Sequence, residues 1–551
     1  MSGPGGFDCD WVVIGSGFGG SVAAMRLAQK GYDVTLLEAG RRWRAEDLPT
    51  SSWDLDFNWL PALGCYGLMR MDLWRHALAW GGTGVGGGSL IYGNTLFVPL
   101  DSFFEAPAIA TLGGAKALLP YFDLAKKMMG VVANPRLFEP DRFLRETAEE
   151  YGRGDTFTPS PVAVYFGEPD EEVPDPYFLG EGEPRTGCTF CGACFVGCRV
   201  GAKNSLDRNY LWFAERFGCR VCSRTRALAI RPLSEDGSGG YEVETERLTL
   251  NLRRPRQTIR ARGVVVAGGV MGTLELLLAC KQAGYLPRLS DQLGHRVRTN
   301  SEAIVGVTAR DRSTDYSEGI AASSSVFPDL HTQVQADRYP AGSDSFSLLS
   351  TLLVDGGGWL PRPLRFLDAV RRRPLDFLRI LPPFGFARRT IFLIVMQDLD
   401  SSLRIERRRR WWWPLSHRLV SRSSGADRVP TYVPMANDFT RRLAARMNGI
   451  ARSSVTEVFL DRPATAHILG GCPIGESPAE GVIDGRQRVF GYENLLVCDG
   501  TVIPANLGVN PALSILAFAE RAMSFVPPKA PDSVQTLKVE RVWGVEGLLT
   551  R

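Results

Sequence analysis

Histidine is scarce in this chain. Its 551 residues include five: His76, His295, His331, His417 and His467. A histidine-built metal centre is therefore short of ligands. Long apolar runs are missing too, since no stretch reaches the about 18 consecutive apolar residues that a membrane-spanning helix needs. Nor is there an excess of one charge. Sixty-four basic against 60 acidic residues leave a net +4, too little to mark a nucleic-acid binder. Met1–Asp8 has neither a basic n-region nor an apolar h-region, so no signal peptide is expected. Eleven cysteines without such a signal argue against a disulfide framework and for a reducing, cytoplasmic setting. With 44% hydrophobic and 23% charged residues over this length, the chain reads as globular, with about two domains.

What is abundant is glycine, placed with purpose. The stretch Trp11–Ile14 is a short apolar run that reads as a buried strand. It enters Gly15-x-Gly17-x-x-Gly20, and a helical pattern of Val22, Ala23, Met25, Leu27 and Ala28 follows. A second apolar run, Val34–Leu37, ends on Glu38. Strand, glycines, helix, strand and acid in this register are a dinucleotide fingerprint. Gly15 allows the turn, Gly17 admits a pyrophosphate and Gly20 lets helix pack on strand. The helix N-terminus attracts phosphate, and Glu38 is placed to accept from a ribose diol.

A second glycine segment holds six glycines between positions 81 and 88 and leads into Leu90-Ile-Tyr92, which reads as a strand. Such backbone can lie against a flat ligand or its phosphates. Residues 101–153 are helical in pattern, in pieces at 115–119, 121–129 and 141–151. After a loop rich in proline, glycine and acid, a helix is expected at 206–217. Strands are expected at 219–222, 227–230, 241–250 and 258–260. Gly263–Ala267 is a second all-apolar strand ending in glycines, suited to a sheet covered on both faces. From Ser301 to Asn437 alternation dominates, at Ala303–Val307, Phe346–Leu352 and Ile391–Met396, and predicts a mainly antiparallel sheet. Within it, Leu360–Pro383 and the run from Arg407 to Trp413 combine arginine with large apolar residues. Two readings stay open: a peripheral contact with an anionic membrane surface, and a hairpin with solvated arginines and packed tryptophans, which is favoured. Near the C-terminus, Asn510-Pro511 opens a helix running to Met523.

Cys188, Cys191, Cys194 and Cys198 have the C-x2-C-x2-C-x3-C spacing of a ferredoxin-type ligand loop. No proline follows the fourth cysteine, which is out of keeping with that motif. An iron–sulfur cluster and a reduced thiol patch are both open readings, with the patch favoured. Cys219 and Cys222 read as ordinary strand residues.

Taken in order, GSGFGG with Glu38, GTGVGGGSLIYGN, VVVAGG, AHILGGCPIG and LLVCDGTVIPANLGVNPALSILAFAER resemble the glucose–methanol–choline oxidoreductases, most closely their cholesterol-oxidase-like branch. The resemblance is dense at 10–45, 80–97, 263–280 and 465–523. It implies an α/β (α+β overall) chain: a Rossmann-type FAD-binding domain drawn from 1–100, 190–300 and 465–530, and a mainly antiparallel-sheet substrate domain from 101–189 and 301–464, with 531–551 as a tail. It implies FAD, a hydrophobic alcohol as substrate, and oxygen or an electron carrier as acceptor. By motif, His467 and Asn510 match active-site positions. Gly15, Gly17, Gly20 and Glu38 match diphosphate and ribose contacts. Gly87, Ser89 and Asn94 match the segment lining the flavin, and Asp499 and Gly500 the segment meeting its ribityl and pyrophosphate. The branch also uses a carboxylate from the substrate domain, for which Glu302, Gln397, Asp398 and Asp400 are candidates. The expected activity is oxidation of a bulky apolar alcohol, sterol-like or lipid-like, by hydride transfer to flavin. The alternatives are a dehydrogenase relaying electrons through a cysteine-held cluster, a flavoenzyme that desaturates or isomerises a lipid, and an FAD-binding protein without turnover.

Overall fold

A computed structural model describes residues 6–249, 254–410, 413–423 and 428–549. Two sheets organise them. The first begins with Cys9–Ile14, whose six residues are all buried. On one side it pairs in parallel with Val34–Leu37, which pairs in turn with Arg220–Cys222. On the other side it pairs with the long strand Arg256–Val266. That strand joins two expected pieces, 258–260 and 263–267, into one, and its two halves differ. Residues 256–261 alternate, are largely exposed and pair antiparallel with Tyr241–Arg247. The buried Val264–Val266 pair in parallel with Cys9–Ile14 and with Leu495–Val497. Alternation marks the half with one face to water, and the apolar run marks the half covered on both.

The helices Phe18–Gln29 and Ala512–Ser524 pack against each other beside this sheet. Arg26 fixes the contact. Its Nε lies 2.7 Å from Glu520 Oε2, and it pairs also with Glu540 of the helix Lys538–Trp543. All three side chains are buried. An ion network removed from water holds only while every member is paired.

The second sheet runs Ser350–Leu352, Gly449–Ser454, Ala303–Ala309, Thr390–Gln397, Thr332–Asp337, Ala322–Val326, Thr158–Pro159, and every pairing is antiparallel. One face packs on the helices Glu139–Glu149 and Pro434–Arg446 through Val305, Val307, Leu393 and Phe439. The other face looks toward the first sheet across a cavity.

Local expectations fail in two places. Leu90-Ile-Tyr92 is no strand: Gly87–Leu90 is a turn of 3-10 helix, because positive φ at Gly86 and Gly87 coils the chain. Phe346–Leu352 is strand only at Ser350–Leu352, after a 3-10 turn at Asp344–Leu349. The basic apolar region divides. Arg362–Arg372 and Pro374–Ile380 are helices with Leu364, Leu367, Leu375 and Leu378 exposed. Leu403–Arg410 and Trp413–Ser423 form the expected hairpin. Trp411 and Trp412 lie outside the described residues. No described helix is long and apolar enough to cross a membrane.

Candidate active site

The cavity has a volume of about 800 Å³, within the range of sites that enclose a small molecule. One wall is glycine. Gly15 has φ +103°, and a Cβ there would sit 2.1 Å from the Ala267 carbonyl oxygen. A Cβ on Gly20 would come within 1.9 Å of Gly15 O. Gly17 differs: a Cβ there meets no atom within 4 Å, because the position opens onto the cavity. Gly87 closes on the same turn, its would-be Cβ 2.6 Å from Gly17 Cα. The backbone N–H groups opening the helix Phe18–Gln29 face this space with no acidic residue in the first turn, so a phosphate meets an unopposed positive helix end. Glu38 is buried beside it. Its carboxylate accepts from Ser16 Oγ at 2.6 Å and Gly40 N at 2.8 Å. Asp499 and Gly500 continue the wall. Asp499 accepts from Thr501 N at 2.9 Å, and burial raises its carboxyl, its hydroxyl and amide donors pulling it back.

Two residues of the glycine segment stand elsewhere. Ser89 is fully buried outside the cavity lining, donating to Gly86 O at 2.7 Å and accepting from Leu206 N at 3.0 Å. Asn94 is likewise buried, with φ +67°, and borders a smaller cavity with the cysteines. Gly88, Tyr92 and Gly93 line the large cavity from this segment instead.

The opposite wall is the antiparallel sheet, with Ile304, Phe392 and Ile394 joined by Trp80, Tyr339 and Phe346. Where the two walls meet stands His467. Its Nδ1 lies 3.0 Å from Glu302 Oε2. Its Nε2 lies 3.4 Å from Asn510 Nδ2. Nδ1 makes no hydrogen bond despite that approach, so Glu302 meets the ring as a neighbouring charge, while Nε2 faces the Asn510 amide as an acceptor. Glu302 is itself held, accepting from Thr465 Oγ1 at 2.9 Å and from Ala466 N at 3.1 Å. Asn510 does not cap the helix Ala512–Ser524, whose N-cap position is Pro511. Its amide turns to His467, and its buried Oδ1 has no hydrogen-bond partner.

Of the four candidates, Gln397 carries an amide and no carboxylate, and of the three acids Glu302 alone touches His467. Asp398 pairs with His331 at 3.0 Å, Asp400 with Arg298 at 3.0 Å, and Gln397 donates to Thr332 Oγ1 at 2.9 Å. One carboxyl in the cavity wall escaped the sequence reading. Asp337 is buried, its Oδ2 has no partner, and burial with nearby Glu302 pushes it well above the usual carboxylate range against a weaker pull from Arg338. The alternation in Gln333-Val-Gln335-Ala-Asp337 signals it, but a polar row on a strand ordinarily means a face turned to water.

Cys188, Cys191, Cys194 and Cys198 all border the smaller cavity, Cys191 from its exposed rim. Burial pushes the Cys188 thiol up to about 12 and raises Cys194 as well, so without a bound cation both stay protonated at neutral pH. Among the described residues no three or more Cys, His, Asp or Glu side chains gather to hold a metal ion. Lys203, another residue without a sequence signal, ties this loop to the large cavity by donating to Cys194 O and Tyr92 O at 2.9 Å each.

Residues 417–519 match the GMC oxidoreductase family, and residues 13–47 match the NAD(P)-binding Rossmann-like domain. The chain is 43% identical to a cholesterol oxidase of Acinetobacter baumannii, over 95% of both chains. It is 44% identical to a cholesterol oxidase of Mycobacterium tuberculosis, over 95% of this chain and 92% of that one. Among solved structures, the pyridoxine 4-oxidase from Mesorbium loti shares the fold at a TM-score of 0.55 and 15% identity, covering 93% of this chain and 98% of that one. Fold and site together define an FAD-dependent oxidoreductase acting on CH–OH donors. The chain belongs to the GMC oxidoreductases, in their cholesterol-oxidase-like branch.

Proposed function

We propose that this enzyme oxidises the hydroxyl of a bulky apolar alcohol, sterol-like or lipid-like, with His467 as the base. One observation carries the reading: the Glu302–His467–Asn510 chain stands at the seam between the glycine wall and the apolar sheet. In this reading Gly15, Gly17, Gly20, Gly87, Glu38, Asp499 and Gly500 hold FAD, which supplies the hydride acceptor when bound. The protein's own work is proton transfer and positioning. When the substrate hydroxyl displaces the long Asn510 amide contact at Nε2, the lone pair of that nitrogen takes the hydroxyl proton as the carbon–hydrogen bond breaks. Glu302, already at Nδ1, steadies the positive charge that then forms on the ring. Asn510 orients the hydroxyl through its free Oδ1. The apolar wall keeps water away and selects a hydrocarbon body. Oxygen is the proposed acceptor, in line with the named oxidases among its relatives. The exposed leucines between 364 and 378 beside Arg371, Arg372 and Arg373 support peripheral contact with an anionic lipid surface as the route by which an insoluble alcohol arrives.

The test is anaerobic titration of the FAD-loaded protein with cholesterol and long-chain alcohols. The flavin band near about 450 nm is expected to bleach as the flavin is reduced. A flavin left oxidised by the whole panel would overturn the proposal.

A further inference from the structure

Arg452 lines the same cavity as His467 and is 3% exposed. Its guanidinium lies over the Phe386 ring, 4.5 Å from the centroid, and donates to neutral acceptors: Thr308 Oγ1 at 3.4 Å, and Ser347 O, Ser347 Oγ and Ser350 O at 3.2 Å each. Its Nε has no partner. Five other buried arginines are treated differently. Arg26, Arg185, Arg298, Arg338 and Arg362 each have a carboxylate within 4.0 Å. Arg452 has none among the described residues, and its charged neighbour is Arg389. Burial, with that like charge, draws it down to about 9, which still leaves it cationic at neutral pH. A buried cation without a counter-charge is costly, and this one borders open space rather than packed protein.

Its position adds meaning. Directly across the sheet from Arg452 stands Gly306, which has no side chain to cover it. Along the strand Ala303–Ala309, Glu302 and His467 mark one end, and Gly306 comes four residues later, about 13 Å away. Between them the lining is apolar, with Ile304, Phe392 and Ile394. Asp337 shares a cross-strand row with Arg452, but the strands of Gly306 and Phe392 separate them. That places their backbones about 14 Å apart.

Base, apolar wall and cation thus stand in sequence along one cavity. We infer that Arg452 recognises a carboxylate, and that the preferred substrate is an amphipathic hydroxy acid: hydroxyl at His467, hydrocarbon body along the sheet, carboxylate at the guanidinium. This deepens the alcohol-oxidation reading and rests on it for the reacting end.

The experiment uses the FAD-loaded enzyme with hydroxycholenoic acid and its methyl ester, which differ only in the anionic group. The acid is expected to have the higher kcat/KM by about tenfold or more, the scale of a hydrogen bond to a charged group. In Arg452→Gln the acid-to-ester ratio should fall toward one, and Arg452→Lys should keep part of it. Equal values for acid and ester in the unaltered enzyme overturn the inference without any variant. So does an unchanged ratio in Arg452→Gln, which would leave the residue only a role in pinning the 344–350 turn. Cholanic acid, which lacks the hydroxyl, separates this from the underlying reading. If neither substrate reduces the flavin, alcohol oxidation fails. Calorimetric binding of cholanic acid that is lost in Arg452→Gln then sustains the carboxylate site, and no binding ends it.

Discussion

His467 stands in the middle of a three-residue chain, and its two neighbours should fail differently when changed. His467→Gln removes the proton acceptor and is expected to slow anaerobic flavin reduction by about 10²–10⁴-fold, with bound FAD unchanged in the absorption spectrum. Glu302→Gln keeps the volume but loses the charge at Nδ1, so its loss should be smaller and should fall on the rate of reduction rather than on apparent substrate affinity. Glu457 offers a test away from the site. Burial pushes its carboxyl up to about 8 from an ordinary 4.5, with Arg362 opposing and Asp461 adding. The folded state therefore holds a proton that the unfolded chain gives up. The stabilisation is complete below pH 4.5 and is lost as pH rises toward 8, at up to about 1.4 kcal/mol per pH unit. Denaturant titrations of Glu457→Gln across that window should show a flatter dependence than the unaltered protein. At this scale the sequence spoke clearly where a motif surrounds the residue, as at His467, Asn510 and Glu38. It was silent at Arg452, whose strand Gly449–Ser454 is buried throughout without alternation, and it misdirected at Asp337, whose polar row reads as a face turned to water; both acquire their meaning from the sheet that faces them.

Among elements, the glycine turn after the first strand makes a sharp prediction. Gly20→Ala drives a methyl group into the Gly15 carbonyl, at 1.9 Å, so it should lower thermal stability and flavin content together. Gly17→Ala meets no protein atom within 4 Å, so the variant should fold normally and yet purify with little FAD. Equal stability losses in the two would show that the turn is not built as described. The helix contact at Arg26 is the other sensitive point. Arg26→Met leaves Glu520 and Glu540 buried without their cation, and about 3–5 kcal/mol of stability should go with it, readable as a fall in unfolding midpoint. Elements were legible where periodicity and burial agree. The parallel strands Cys9–Ile14, Val34–Leu37 and Val264–Val266 announced themselves as apolar runs, whereas Thr390–Gln397 is an apolar run whose partners are antiparallel, so its place in the second sheet was not marked by alternation. Leu90–Tyr92 misled because an apolar tripeptide carries no sign of the left-handed glycines that coil the backbone before it. Arg256–Val266 was divided because its two halves obey different patterning rules.

Over the whole molecule, pattern recovered two sheets of opposite character, while the cavity between them depends on how they face each other, which no local pattern records. The same layout bears on synthesis. The first strand needs two further strands to become the centre of its sheet: Val264–Val266 pairs with Cys9–Ile14, and Leu495–Val497 closes the far side. The glycine turn also leans on the backbone of Ala267, Cys498 and Gly87. A ribosome-bound chain therefore carries its nucleotide fingerprint, complete in sequence, through most of translation with nothing to press it into shape. Ordering by contacts so distant along the chain is slow, and stalled chains ending shortly before residue 495 should capture no flavin, whereas those released beyond the helix Ala512–Ser524 should. Cofactor loading is in this sense a late proofreading step, reached only by polypeptides whose two ends have met.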